Sequence, residues 1–190
     1  THELRPPLTA IGGNAELLLN NTEADCRLRH VQTIHDAAGR MAGMINSLLV
    51  YFRLDSGKET SSVKPFKLCS ITETLETEFA PLAKNKGLNF KIEGKTDEIV
   101  SGDKNRIISI GSNLLSNAVK FTSSGTIVLS TEYKKGTFTL TVKDTGTGMT
   151  REQQQRIFTP FERLGNAVTE DGFGLGLAIV SDTVKLLKGN

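Results

Sequence analysis

Three groups of residues in this chain have types and spacings suited to chemistry. The first is a histidine followed by an acid, His2-Glu3, leading into Leu4-Arg5-Pro6-Pro7-Leu8. An imidazole near its unperturbed pKa of about 6.5 is partly neutral at pH 7 and can act as a nucleophile. An idle surface histidine would look the same.

The second group is Asn113, Asn117 and Lys120, at i, i+4 and i+7 of one predicted helix. That spacing puts two amide oxygens and an ammonium on one stripe. A carboxamide oxygen is a hard ligand suited to Mg²⁺ bridging phosphates, and lysine supplies a point charge for phosphate oxygens. Taken alone, such a stripe is also what the wet face of an amphipathic helix looks like.

The third group is rich in glycine. Asp144-x-Gly146-x-Gly148 follows Phe138, Leu140 and Val142 with the same period of two, so Asp144 is expected on the face those residues bury. A carboxylate aimed at a core is costly unless it meets donors. An adenine exocyclic amine is such a donor, whereas guanine offers a carbonyl that would repel it. The glycines allow backbone to approach a flat ring, although a plain Asp-Gly turn fits equally well. Gly172-x-Gly174-x-Gly176 opens a helix, leaving N–H groups free to face phosphates. Before it, Phe158-Thr159-Pro160-Phe161-Glu162-Arg163 and a polar stretch to Asp171 read as a mobile flap from which Arg163 could reach a triphosphate.

Two kinds of element must position these groups. Leu4, Leu8, Ile11, Ala15 and Leu18 form one heptad seam, and Val31, Ile34, Ala38, Met41, Ile45, Leu48 and Phe52 form another. A turn near Asn20-Asn21-Thr22 joins them, with Thr22 or Asp25 as cap of the second helix. A lone hairpin cannot cover both seams, so pairing with a second copy into a four-helix bundle is expected. Placing Leu4 at d puts His2 at b, facing solvent; His30 and His35, also off the seam, read as solvated. The hairpin is assigned to residues 1–55 and a linker to 56–64, within a polar, breaker-rich stretch beginning at Arg53.

Residues 65–190 show mixed periodicity. Helices are predicted over 70–86, 103–121, 151–157 and 174–187, with strands around Leu88–Ile92, Ile127–Leu129 and Phe138–Val142. On the 103–121 helix, Ile107, Ile110, Leu114, Ala118 and Phe121 are the expected apolar face. The fold class is α+β: a helical hairpin followed by an α/β sandwich, with helices on one face of a mixed sheet.

Totals narrow the field. A net charge of +2 without a dense basic patch argues against nucleic acid. Cys26 and Cys69 form no C-x-x-C pair and read as reduced thiols. No apolar run approaches the ~20 residues of a membrane span. The chain starts at Thr1 inside a helical pattern, which suggests a piece of something longer.

In order, these signals resemble the sensor histidine kinases. His2–Leu8 is similar to that family's histidine box and Asn113–Thr122 to its asparagine box. Asp144–Met149 is similar to the first glycine box, Phe158–Phe161 to the phenylalanine box and Gly172–Leu177 to the second glycine box. The resemblance implies a dimeric hairpin bearing the phosphoacceptor and an ATP-binding sandwich of the gyrase, chaperone and histidine-kinase type. His2 would accept the γ-phosphoryl group of ATP, with Glu3 holding one ring nitrogen. Asn117 would hold Mg²⁺, Asn113 and Lys120 would contact phosphates, and Asp144 would accept from adenine. Phe121, Gly146, Gly148, Arg163, Gly172, Gly174, Leu175 and Gly176 complete the implied ATP-binding set. A response regulator receiver domain would then take the phosphoryl group onto an aspartate. This chain is expected to be cytoplasmic and its parent anchored in the inner membrane.

Three departures from the family pattern carry expectations. Pro6 stands where the family usually has Thr or Asn to orient the water that dephosphorylates the regulator, so phosphatase activity should be weak. Pro6-Pro7 removes two helix donors, so a kink is expected at residues 3–7. The chain stops at Asn190, before two further family strands, and lacks the turns preceding His2; an incomplete sheet and weakened dimerisation are expected. Two rival readings remain. Gyrase-type, mismatch-repair and chaperone ATPases share the pocket but use a glutamate at the position of Asn113, and an amide cannot serve as that base. A scaffold that binds nucleotide without transferring phosphate is the other.

Overall fold

A computed structural model describes residues 4–20, 24–57, 59–94, 96–163 and 173–190. Helix α1 (Arg5–Leu19) and helix α2 (Ala24–Asp55) run together as the expected hairpin. Leu4 is in a 3₁₀ conformation, and the two prolines occupy the first turn of α1, where a helix N–H has no internal partner anyway. From Leu4 onward the prolines start a helix rather than kink one; Glu3, at the edge of the predicted kink, lies outside the described residues.

The second seam divides in two. Ile34, Met41 and Leu48 are half-buried, and Ala37 and Met44 buried. Val31, Ala38, Ile45 and Phe52 lie exposed. A strict seven-residue repeat on one helix therefore holds two stripes, only one of which is covered. His30 departs from the solvated reading. It is half-buried, with Nδ1 2.7 Å from Oδ1 of Asn14 across the hairpin. His35 is exposed as expected.

The remaining elements are β1 (Lys64–Lys67), α3 (Cys69–Asn85), β2 (Asn89–Glu93), β3 (Ile99–Gly102), α4 (Lys104–Phe121), β4 (Thr126–Lys134), β5 (Thr137–Asp144), α5 (Arg151–Arg156) and α6 (Gly176–Leu186). β2 pairs parallel with β4, and β4 antiparallel with β5, giving the mixed sheet. β1 and β3, which sequence pattern did not reveal, pair antiparallel as a separate ribbon. Lys-Pro-Phe-Lys is polar and proline-bearing, and Ile-Val-Ser-Gly is short, so neither shows alternation over enough residues to read as a strand.

The core lies between helices and sheet. Ile71, Leu75, Phe79 and Ala83 recur every four residues along α3 and meet Leu115 and Ala118 of α4 and Ile127 and Leu129 of β4. The buried face of α4 centres on Gly111, Leu115 and Ala118, rotated slightly from the predicted one. Gly111 lets α3 close on α4: a Cβ there would sit 2.5 Å from a Leu75 methyl. Turning that face inward leaves the Asn113–Asn117–Lys120 stripe beside the core rather than in it.

Candidate nucleotide site

Helix α4 is fixed at its start by Asp103. This nearly buried carboxylate caps the helix by accepting from the Arg106 N–H at 3.2 Å. Its second oxygen accepts from the Ser62 N–H at 2.7 Å. Arg106 also donates to the Glu59 carboxylate at 2.5 Å and to the Thr60 carbonyl at 3.2 Å. These contacts tie part of the segment expected as a linker, 56–64, to the start of α4. Arg53–Asp55 still belong to α2, and Glu59–Ser62 are fastened to the start of α4. An Asp immediately before a helix is a capping signal in the sequence, whereas the Arg106 contacts, to residues 46 and 47 positions away, leave none.

Further along α4, the Asn113 side-chain amide donates to the Ser109 carbonyl at 2.9 Å, which fixes the rotamer. Its Oδ1 faces Gly176 at the start of α6; a Cβ on Gly176 would approach that oxygen to 3.0 Å. Asn117 and Lys120 are half-buried on the same stripe, and the Lys120 ammonium lies 4.8 Å from the centre of the Phe121 ring.

Asp144 is the last residue of β5 and is exposed, not aimed into the core as its period suggested. The strand ends there, so its side chain falls at the rim of the sheet. The carboxylate accepts from the Gly146 N–H at 2.8 Å. The loop carrying Gly146 rests on the end of α4. A Cβ on Gly146 would stand 2.5 Å from the Phe121 carbonyl and 2.8 Å from Asp144 Oδ1, and the Thr147 N–H reaches that carbonyl at 3.4 Å. Close packing of backbone on backbone, and not a positive φ, is why glycine is needed at 146. Gly148, with open space around it, does have a positive φ of 66°.

The phenylalanine segment closes against the second glycine run. The Phe161 N–H donates to the Gly174 carbonyl at 2.9 Å, and Phe161 itself has φ 65°. Gly174 has φ 67° and packs on the Phe161–Glu162 backbone so tightly that a Cβ would meet the Glu162 carbonyl oxygen at 2.7 Å. Leu175 is buried and supports the start of α6 from beneath, its carbonyl accepting from the Ile179 N–H. Arg163 lies half-buried at the end of the described part of the flap. Gly172, His2 and Glu3 lie outside the described residues.

Four sequence-predicted pieces thus meet at one place: the α4 stripe, the Asp144–Gly148 loop, Gly174–Gly176 and the phenylalanine segment. The hairpin touches the same assembly. The Tyr51 ring on α2 meets Phe161 edge-on, with centroids 6.3 Å apart, and α2 packs on α6. Among the described residues there is no cluster of three or more His, Cys, Asp or Glu that could hold a metal ion by itself. At Cys69 a hydrogen bond to the Asp97 side chain, then desolvation, raises the pKa, which lowers its thiolate fraction.

Comparison with known proteins gives this arrangement its family. Residues 1–57 match the His Kinase A (phospho-acceptor) domain. Residues 102–190 match the histidine kinase-, DNA gyrase B- and HSP90-like ATPase family. The chain is 30% identical to the sensor histidine kinase AtsR of Burkholderia thailandensis, over 100% of this chain and 33% of that protein. It is 31% identical to the autoinducer 2 sensor kinase/phosphatase LuxQ of Vibrio parahaemolyticus, over 100% of this chain and 23% of LuxQ. It therefore spans a third or less of the length of these relatives. The crystal structure of full-length ShkA in complex with AMPPNP superposes with a TM-score of 0.73 at 29% identity, covering 98% of this chain and 40% of ShkA. With both domains matched in the same order, the chain belongs to the sensor histidine kinases of two-component systems.

Proposed function

We propose that the chain binds ATP in the α/β domain, transfers the γ-phosphoryl group to His2, and passes it to an aspartate of a response regulator receiver domain. The observation that carries this reading is the convergence of Asp144, the end of α4 and the Gly174–Gly176 turn, in a chain that also supplies a histidine-bearing hairpin. Asp144 accepts from the adenine amine in place of, or beside, the Gly146 N–H. Lys120 meets phosphate oxygens. Asn113 lines the phosphate side against Gly176.

In the transfer step the bond from the γ-phosphorus to the bridging oxygen breaks, leaving ADP, and an N–P bond to His2 forms. Glu3 takes the hydrogen bond from the other ring nitrogen and keeps the attacking one nucleophilic. Most of the acceleration comes from positioning and charge neutralisation, as in phosphoryl transfer generally. Among the described residues there is no carboxylate cluster, and a single amide oxygen beside a polyphosphate is a donor set that fits Mg²⁺. Asn117 would hold the ion, which would supply charge neutralisation of the phosphates.

The exposed stripe of Val31, Ala38, Ile45 and Phe52 supports pairing with a second hairpin. No helix among the described residues is long and apolar enough to cross a membrane; a membrane-anchored parent is proposed from kinship alone. Pro6 has neither hydroxyl nor amide to orient water, so dephosphorylation of the regulator is slow. A rapid regulator phosphatase activity dependent on this chain would overturn that point.

The reading is tested by incubating the chain with labelled ATP. Acid-labile, base-stable phosphate should appear on the protein. Release of free phosphate with no labelled protein would instead favour the gyrase- and chaperone-type ATPase. Nucleotide binding without any phosphohistidine would favour the scaffold.

A further inference from the structure

Helix α4 presents an electrostatic difficulty. Anions prefer helix N-termini, yet Lys120 and Phe121 lie in the last turn of α4, where unpaired carbonyls amount to roughly half a negative charge. A polyphosphate brought to Lys120 approaches the wrong end of a helix. The carbonyls of that turn are each accounted for. Ala118 accepts from the Thr122 N–H at 3.1 Å, and Phe121 from the Thr147 N–H at 3.4 Å. The two between them, Val119 and Lys120, both accept from one ammonium, that of Lys86, at 2.7 and 2.8 Å.

Lys86 reaches them because of how α3 ends. It is the C-cap residue, followed by Gly87 at φ 72°. The Leu88 N–H returns to the Ala83 carbonyl and the Gly87 N–H to that of Lys84, both at 2.9 Å. This paired closure is a Schellman turn. It ends α3 next to the end of α4 and holds the base of the Lys86 side chain in place. None of the nucleotide motifs includes Lys86, and its side chain is exposed.

We propose that Lys86 is a positioning residue of the nucleotide site: by binding the Val119 and Lys120 carbonyls it caps and neutralises the negative end of α4, so that Lys120 can receive phosphate there. This rests on the nucleotide-binding reading above and adds a cation supplied from α3. The effect is electrostatic, so it grows with the charge of the ligand.

The test compares wild type, Lys86→Met and Lys86→Arg by calorimetric titration with AMPPNP, ADP and adenosine, each with Mg²⁺, at low and high salt. Methionine keeps the stem and removes the donor. For an exposed capping charge, the AMPPNP affinity of Lys86→Met should fall about two- to fivefold, ADP less and adenosine hardly at all. The difference should shrink at high salt. Lys86→Arg should stay within about twofold of wild type, since guanidinium also donates to two carbonyls. Undiminished AMPPNP affinity in Lys86→Met would overturn the proposal. So would an equal loss for AMPPNP and adenosine, the mark of a purely architectural role. If Lys86→Met does not fold, a wild-type and Lys86→Arg pair with no salt-dependent preference for AMPPNP over adenosine overturns it instead. Failure of wild type to bind AMPPNP and ADP would sink the nucleotide reading itself, and is distinguishable from either result.

Discussion

The hairpin and the α/β domain solve opposite problems. The α/β domain closes its own core: Ile71, Leu75, Leu115, Ile127 and Leu129 are all completely buried. The hairpin fully buries only Ala37 and Met44 among its described residues, and leaves Leu28 74% and Phe52 58% exposed. One region is therefore a self-sufficient binding unit. The other leaves an apolar stripe uncovered, which the proposed pairing with a second hairpin would bury. On that proposal, such a division would let a phosphoacceptor be rearranged by changes in helix packing while the nucleotide site stays intact.

The contrast is broken most sharply by a matched pair of truncations. Leu75→Ala should cost about 2–5 kcal/mol by opening a cavity against α4, read as a large fall in the denaturation midpoint. Val31→Ala, on the exposed stripe, should change the unfolding free energy of the isolated chain by about 0.5 kcal/mol or less. It should instead shift any monomer–dimer equilibrium toward monomer, read by sedimentation. Equal destabilisation by the two would remove the distinction between a closed and an open region.

A second prediction concerns the join between the regions. Arg106→Met removes the contacts to Glu59 and Thr60, and should cost about 1 kcal/mol for a half-buried hydrogen-bonded pair. Amide exchange across residues 59–61 should speed up, Ser62 staying held by Asp103, while nucleotide affinity holds. Unchanged exchange at 59–61 would show that the Arg106 contacts do not fasten this segment to α4.

The smallest effect concerns the thiol of Cys69. Cys69 has a raised pKa, chiefly through Asp97, so its thiolate fraction stays low until pH rises beyond the ordinary thiol range. Alkylation of Cys69 at pH 8 should be slower than that of a free model thiol, and Asp97→Asn should speed it. No acceleration in that variant would discard the hydrogen bond as the cause.

Much of this contrast was legible in the sequence, and the failures share a physical origin. The helices of the α/β domain were visible because each carries a long periodic face. The ribbon of β1 and β3 was not, because four-residue strands built of Lys-Pro-Phe-Lys and Ile-Val-Ser-Gly show no usable alternation. The seven-residue repeat of α2 was read as one seam because periodicity reports spacing and not which neighbour covers it. His30 looks solvated in the sequence for the same reason: its partner Asn14 lies across the turn, beyond any local pattern. At the nucleotide site the residue types were readable, since glycines and a terminal Asp mark a loop. That Asp144 sits at the rim, held by its own Gly146 N–H, depends on where β5 stops. Lys86 and Arg106 were invisible because each acts on backbone or carboxylate distant in sequence.

The account rests on delivery of phosphate from the Asp144 pocket to His2. After incubation with ATP and Mg²⁺ under conditions that preserve phosphoramidates, mass spectrometry of the tryptic peptide that carries His2 and ends at Arg27, the Arg5–Pro6 bond resisting trypsin, tests it most directly. The account predicts phosphate on His2 in the wild-type chain, a strong reduction in Asp144→Asn, and none in His2→Ala. Phosphate on any other residue, or labelling undiminished by Asp144→Asn, would contradict it.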